Sequence, residues 1–301
     1  MKKVFLTIGL LIAIIINAQQ PQGDWDKILE ISRQMKKTDQ HTSYYINLAL
    51  AMKGELPQKM FSYPQTDETG LLLFRTWDEH NLRYGSDFYY HAGILNEAIR
   101  WIYDAYIVHR KGMDYHTLTR LAVWNRENGY EEVSDKYFDL LECTLMYRSF
   151  AKRQRKAPLP EHEKTAVAPI EFYIGGRKPV SDMARHYENN PNNRLTLDYI
   201  LCYLLLSNDP AKFLELFSFC YPLTSSKVLP KAYQEALLFI ANMGKADINN
   251  YPISPINETR FHKFNELANM NRNAELEKQF GDTWWWYSYR KIKTTQPKST
   301  N

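Results

Sequence analysis

The sequence predicts an all-α fold built from stacked helix hairpins. Three observations carry that reading. Apolar residues recur at helical spacing along most of the chain, proline and glycine fall mostly between the periodic segments, and no run of alternating β-branched residues is bounded by hairpin turns. With 301 residues, 44% of them hydrophobic and 14% aromatic, the chain can bury a sizeable core, and disorder throughout is excluded.

At the N-terminus, Lys2 and Lys3 precede an apolar run from Val4 to Ile16, followed by Asn17, Ala18 and a polar stretch. This pattern matches a secretory signal. As helix the run would reach roughly 20 Å, short of the roughly 30 Å of a bilayer core, so a cleaved signal over residues 1–18 is expected rather than a retained anchor. No cysteine lies near the junction to carry a lipid. The expected mature chain is exported to the periplasm of the cell envelope with no stable membrane span. Losing Lys2 and Lys3 takes the formal charge from +4 to about +2, too slight a balance to argue for nucleic acid as partner.

Beyond the signal, Tyr45, Leu48, Ala49 and Met52 fall at i, i+3, i+4 and i+7, as do Phe213, Leu216, Phe217 and Cys220. Leu95, Ala98, Ile99, Ile102, Ala105 and Tyr106 extend the same logic over three turns. Each stripe covers one face, so the helices must pack on one another. Asn208-Asp209 before Pro210 supplies capping side chains and a preorganised first turn, and Pro230 opens a segment that ends at Gly244. Two stretches break the rhythm: Ala157 to Pro179, rich in proline and glycine, and Asn249 to Asn257, with Pro252 and Pro255. The expected organisation is a helical-repeat half over 19–156, a connection over 157–179, a second helical half over 180–293 and a flexible tail over 294–301.

Two adjacent helix pairs superimpose with a shift of 36 residues: Gly93 on Gly129, Ala98 on Ser134, Ile102 on Phe138 and Ala105 on Leu141. A small residue five positions after the glycine lets the second helix approach the first, and the bulky residue four further on fills the groove between them. This spacing resembles tetratricopeptide repeats over Ser86 to Phe150, with weaker pairs around Gly54 and Asn208; an irregular helical array is the alternative. The segments "YYINLALAMKGELPQKMFSYPQ", "HAGILNEAIRWIYDAY", "KYFDLLECTLMYRSFAKRQ" and "LPKAYQEALLFIA" also resemble the soluble part of an uncharacterised family of envelope proteins from Bacteroidota-type bacteria. Members of that family often carry several membrane spans, whereas this chain has one N-terminal apolar segment. The resemblance implies no activity.

Motifs for catalysis are missing: there is no Gly-x-Ser-x-Gly elbow, no phosphate-cradling loop, no His-Glu-x-x-His and no paired Cys-x-x-Cys. No catalytic, cofactor-binding or metal-ligating residue is therefore assigned. His109 and His116 come nearest to a metal pattern but read as ordinary turn or surface histidines, and His80 beside Asp78 and Glu79 reads likewise. Cys143, Cys202 and Cys220 are an odd count. Pairing Cys202 with Cys220 across the Asn208 turn would leave an axial mismatch of roughly 7 to 8 Å, so buried thiols are expected. Trp284-Trp285-Trp286-Tyr287 with Tyr289 reads first as packing that closes the array and second as a ligand surface. Lys152, Arg153, Arg155 and Lys156 read as a solvated helix end, with an anionic surface as the alternative contact. Neighbouring pairs such as Tyr44-Tyr45 and Tyr89-Tyr90 suit a binding surface with some phenols on a groove or in solvent, or thick helix packing with hydrogen-bonded hydroxyls, the commoner arrangement.

The expected function is a non-enzymatic scaffold for a protein or peptide partner in the envelope. A glycan-binding accessory protein using exposed aromatics is the alternative, and an enzyme of unrecognised type the third reading. Buried aromatic rings would favour the first over the second.

Overall fold

A computed structural model describes residues 24–35, 37–109, 114–159, 179–221, 228–244 and 247–295. The expected signal segment, most of the 157–179 connection and the end of the tail lie outside them. The described residues form fifteen α-helices, two short 3-10 turns and no strand. In order these are α1 (Trp25–Ser32), α2 (Gln40–Met52), α3 (Leu56–Lys59), α4 (Glu79–His91), α5 (Leu95–Val108), α6 (Tyr115–Glu127), α7 (Glu131–Glu142), α8 (Arg148–Lys156), α9 (Pro179–Asn189), α10 (Arg194–Leu206), α11 (Pro210–Cys220), α12 (Lys231–Asn242), α13 (Pro255–Asn269), α14 (Asn273–Phe280) and α15 (Trp284–Thr295). The 3-10 turns are Met60–Ser62 and Glu68–Gly70.

Helix starts follow from side-chain chemistry. Asp24, Asp39, Asp78, Asp114 and Asp209 each accept a hydrogen bond from the backbone N–H three residues on, satisfying a donor that the first turn leaves without a helical partner. The hairpin turns share one geometry. Gly54, Gly93, Gly129, Asn208 and Asn271 adopt φ of 67°, 79°, 84°, 60° and 54°. In each case the next N–H reaches back to the carbonyl five residues earlier, from Glu55 to Leu50, Ile94 to Tyr89, Tyr130 to Asn125, Asp209 to Leu204 and Arg272 to Leu267, at 2.8 to 3.0 Å. Left-handed backbone favours glycine or asparagine, and this bond closes off a helix end while reversing the chain. Asn208 thus ends α10, and Asp209 alone caps α11.

The chain divides into two compact units, residues 72–197 and residues 1–71 with 198–301. These units cut the chain at different places from the linear halves expected around the 157–179 connection. In the first unit, α4–α5 and α6–α7 are hairpins, with α5 against α6 and α8 laid across α6 and α7. The superposition by 36 residues is visible in burial: Ala98, Ile102 and Ala105, and likewise Ser134, Phe138 and Leu141, are at most 1% exposed. Ser134 Oγ donates to Ala122 O of the preceding helix at 2.7 Å, a contact that only a small side chain at a close crossing can make.

In the second unit α12 is the hub, touching α3, α11, α13 and α15. Ala232 through Leu238 are all buried, so α12 has no solvent face at its centre. The N-terminal hairpin belongs to this unit, and its second helix is a single turn. Leu56 and Pro57 then bury against α12, and the Phe61 ring meets Tyr287 at 5.4 Å. One expectation is corrected here, and the tyrosine pairs follow the packing alternative. α2 is buried from Thr42 to Ala51 rather than along one stripe, and Tyr44, Tyr45, Tyr89 and Tyr90 are all 4% exposed or less, because neighbours enclose α2 and α4 on several sides. Cys143, Cys202 and Cys220 are thiols, of which only Cys202 is buried while Cys143 lies at the surface.

Candidate functional site

The unit formed by 1–71 and 198–301 carries an open cleft of about 400 Å³, a size that suits a small ligand or a side chain of a bound segment. Its walls come from three places. Trp286, Tyr287 and Arg290 descend from α15, Glu277 and Gly281 from α14, and Phe61 through Gln65 from the 3-10 turn and the extended strip after it; Met35, Lys37 and Thr38 complete the rim. A second cleft of about 630 Å³ shares Ser62 and Tyr63 with the first and is edged by Asp26, Glu30, Arg33, Lys53, Glu55 and Lys59. The first cleft thus sets aromatic edges beside Lys37, Glu277 and Arg290, and the second is edged mostly by charges.

The strip is held rigidly from beneath. Asn47, fully buried on α2, donates through Nδ2 to Gln65 Oε1 at 2.9 Å and to Gly70 O at 3.0 Å, and Gln65 Nε2 donates to Met60 O at 2.8 Å. Gly70 allows this approach, since a Cβ there would collide with Thr66 Oγ1 and Ser43 Cβ. A buried polar network with its partners met fixes the wall in one conformation.

The opposite wall rests on the tryptophan helix. Successive residues of a helix point about 100° apart, so three consecutive indoles can all be buried only where neighbours stand on several sides. Trp284 Nε1 donates to Leu205 O at 2.9 Å and its ring meets Phe239 edge-on at 5.3 Å. Trp285 Nε1 donates to Glu235 O at 2.7 Å among Phe261, Phe264 and Phe280. Trp286 lies under the Arg290 guanidinium, 5.6 Å from its ring, and stacks on Tyr289. Tyr287 OH donates to Leu206 O at 2.7 Å, and burial, with Glu68 and Asp67 nearby, holds this phenol protonated. All four side chains are 7% exposed or less, as the packing reading expects.

Beneath α15 lies a buried carboxyl that sequence inspection did not single out. Glu235 Oε2 accepts from Trp284 N at 2.7 Å at the start of that helix. Burial pushes its pKa from 4.5 to about 8, against the pull of Lys231. Lys231 Nζ stands 3.8 Å from Glu235 but 2.5 Å from Asp282 Oδ2, so the ammonium is shared and burial is the larger influence, shifting Glu235 toward its neutral form.

In the other unit the structure brings His109 to Glu79, with Nδ1 2.8 Å from Oε1, and places Asp114 beside them. His116, which the sequence set beside His109, faces Arg120 instead; its burial, followed by the Arg120 and Arg83 charges, holds it well below the usual histidine range. Ligand atoms of Glu79, His109 and Asp114 lie within 4.8 Å of one another. Arg83 Nη2, however, bridges the two carboxylates at 2.7 and 3.0 Å, and Asp114 also accepts from the Thr117 N–H and hydroxyl. A cation would have to displace that guanidinium, so the cluster is an ion-pair network tying α4 to α6. His80 is exposed and stacks on Tyr84.

No curated protein and no solved structure matches the chain. Residues 18–291 match one family model, described as a family of unknown function (DUF6057), and over that span the chain belongs to this family.

Proposed function

We propose that this protein is a non-enzymatic helical-repeat scaffold of tetratricopeptide-like build that holds an extended peptide or protein segment in the groove through Ser62 and Tyr63. The observation that carries the reading is the pairing of a cleft with aromatic edges and a charged one on a rigid floor. The cleft aromatics are mostly packed and present only their edges, so the flanking charges of both signs are what select register. The repeat reading is supported by five turns of one geometry and by the buried small residues Ala98 and Ser134. The N-terminal pattern supports an envelope location for the partner.

The glycan reading is less well supported, because sugar stacking needs open ring faces and the four consecutive aromatics 284–287 are committed to packing. A photo-cross-linking amino acid at Ser62 in the full chain tests the proposal. It should trap a discrete envelope polypeptide, and Arg290→Glu at the exposed cleft edge should weaken that capture at least tenfold. Equal trapping from Glu258, outside the groove, would overturn the reading, as would titration of a glycan panel showing saturable binding competed by Arg290→Glu.

A further inference from the structure

The turn joining α7 to α8 projects two aliphatic side chains into water: Leu145 is 92% exposed and Met146 80%. Immediately after it, α8 carries Arg148, Lys152 and Lys156 at i, i+4 and i+8, on one exposed face, with Arg153 beside them. Among the described residues none of these four cations has a carboxylate partner, and Arg148 Nε donates to Glu142 O at 2.9 Å. The acids nearby, Asp135, Asp139 and Glu142 on α7, are engaged by Arg155, which lies at i+7 from Arg148 along the edge of the same face. The opposite side of α8 is anchored through Ala151, with Tyr147 and Phe150 against Leu118, Ala122, Phe138 and Leu141. The basic face therefore cannot roll inward.

We propose that this surface docks on a membrane of anionic phospholipid, with Leu145 and Met146 entering the acyl boundary and the α8 cations lying at the phosphate level. A convex apolar tip with cations alongside is what an interfacial anchor presents: burial of the aliphatic groups and attraction to acidic headgroups add, and neither needs a matching pocket. An acidic protein would satisfy the cations but would have to supply a cavity for two projecting side chains. The site is in the other unit from the peptide groove and does not depend on that reading.

Cys143, exposed and three residues before Met146, allows a local readout. A polarity-sensitive fluorophore is attached there in the full chain carrying Cys220→Ser, which separates this turn from any binding by the N-terminal apolar run. With vesicles of equal phosphatidylglycerol and phosphatidylcholine at low salt, the emission should shift to the blue. Pure phosphatidylcholine vesicles should give no shift, and 0.5 M salt should reverse it. Lys152→Glu and Arg153→Glu should each weaken binding about fivefold or more, as expected for one cation lost at an anionic surface, and Leu145→Ser with Met146→Ser should remove the blue shift. All these positions are exposed, and thermal melts would verify folding. No blue shift with the parent chain overturns the proposal, as does a shift indifferent to the substitutions, or tight binding of polyglutamate with none to vesicles.

Discussion

The α4–α7 hairpins and the tryptophan helix α15 are both well packed, yet they are held by contacts of different reach. In the hairpins the decisive partners are close in sequence: Ser134 bonds Ala122, and Tyr130 closes the turn on Asn125. In α15 they are remote: Trp284 bonds Leu205 and Glu235, Trp285 bonds Glu235 and Tyr287 bonds Leu206. Local partners leave a period that can be read from the chain. Remote ones leave only an unusual cluster whose purpose is set by what folds around it.

The sharpest test of that contrast is at α15. Trp284→Ala should lower stability by about 3 to 5 kcal/mol, the cost of deleting a large buried aromatic, and removes one of the two donors to Leu205 O, which keeps Asn208 N–H. Denaturant melts would show it; an unperturbed curve would mean that α15 does not close its unit and would free the indoles for ligand contact.

Ala98→Trp tests the hairpins. Ala98 is fully buried at the crossing of α4 and α5, and overpacking there should cost roughly 1 to 3 kcal/mol. An unchanged melting temperature would break the 36-residue register, whereas a loss larger than that of Trp284→Ala would reverse the ranking of local and remote packing.

The smallest expected effect is a slope with pH. Glu235 binds its proton up to about 8 in the folded chain against 4.5 for the ordinary group. Between those values the folded state holds a proton that the unfolded state has released. Stability is therefore greatest below 4.5 for this group and falls as pH rises, by roughly 1.4 kcal/mol from pH 6 to pH 7. Glu235→Gln keeps an acceptor for Trp284 N and removes the titration, so its melts at the two pH values should differ less than the parent's by about that amount. An equal fall in the variant would assign the slope elsewhere.

Much of the fold was legible because its signals are local. The Asp209 cap, Gly93 and Gly129 at their turns, and the small residues Ala98 and Ser134 each act within one hairpin. The tyrosine pairs left two readings open for the opposite reason: the number of faces that neighbours cover is not written in a helix's own period. The groove was not legible at all. Gln65 becomes a wall through Asn47, and Trp286 meets the strip only because α15 returns to the N-terminal hairpin.

By itself, then, the sequence determined an all-α chain, where its helices begin and turn, and that two of its pairs share one packing register, since helix period, capping and left-handed turns depend on residues within a few positions of one another. Tertiary structure alone decided that the N-terminal hairpin packs with the C-terminal helices, that three consecutive indoles are all buried, and that burial beneath them raises the Glu235 carboxyl. These outcomes depend on desolvation and on partners some 50 to 80 residues away, which no local pattern encodes.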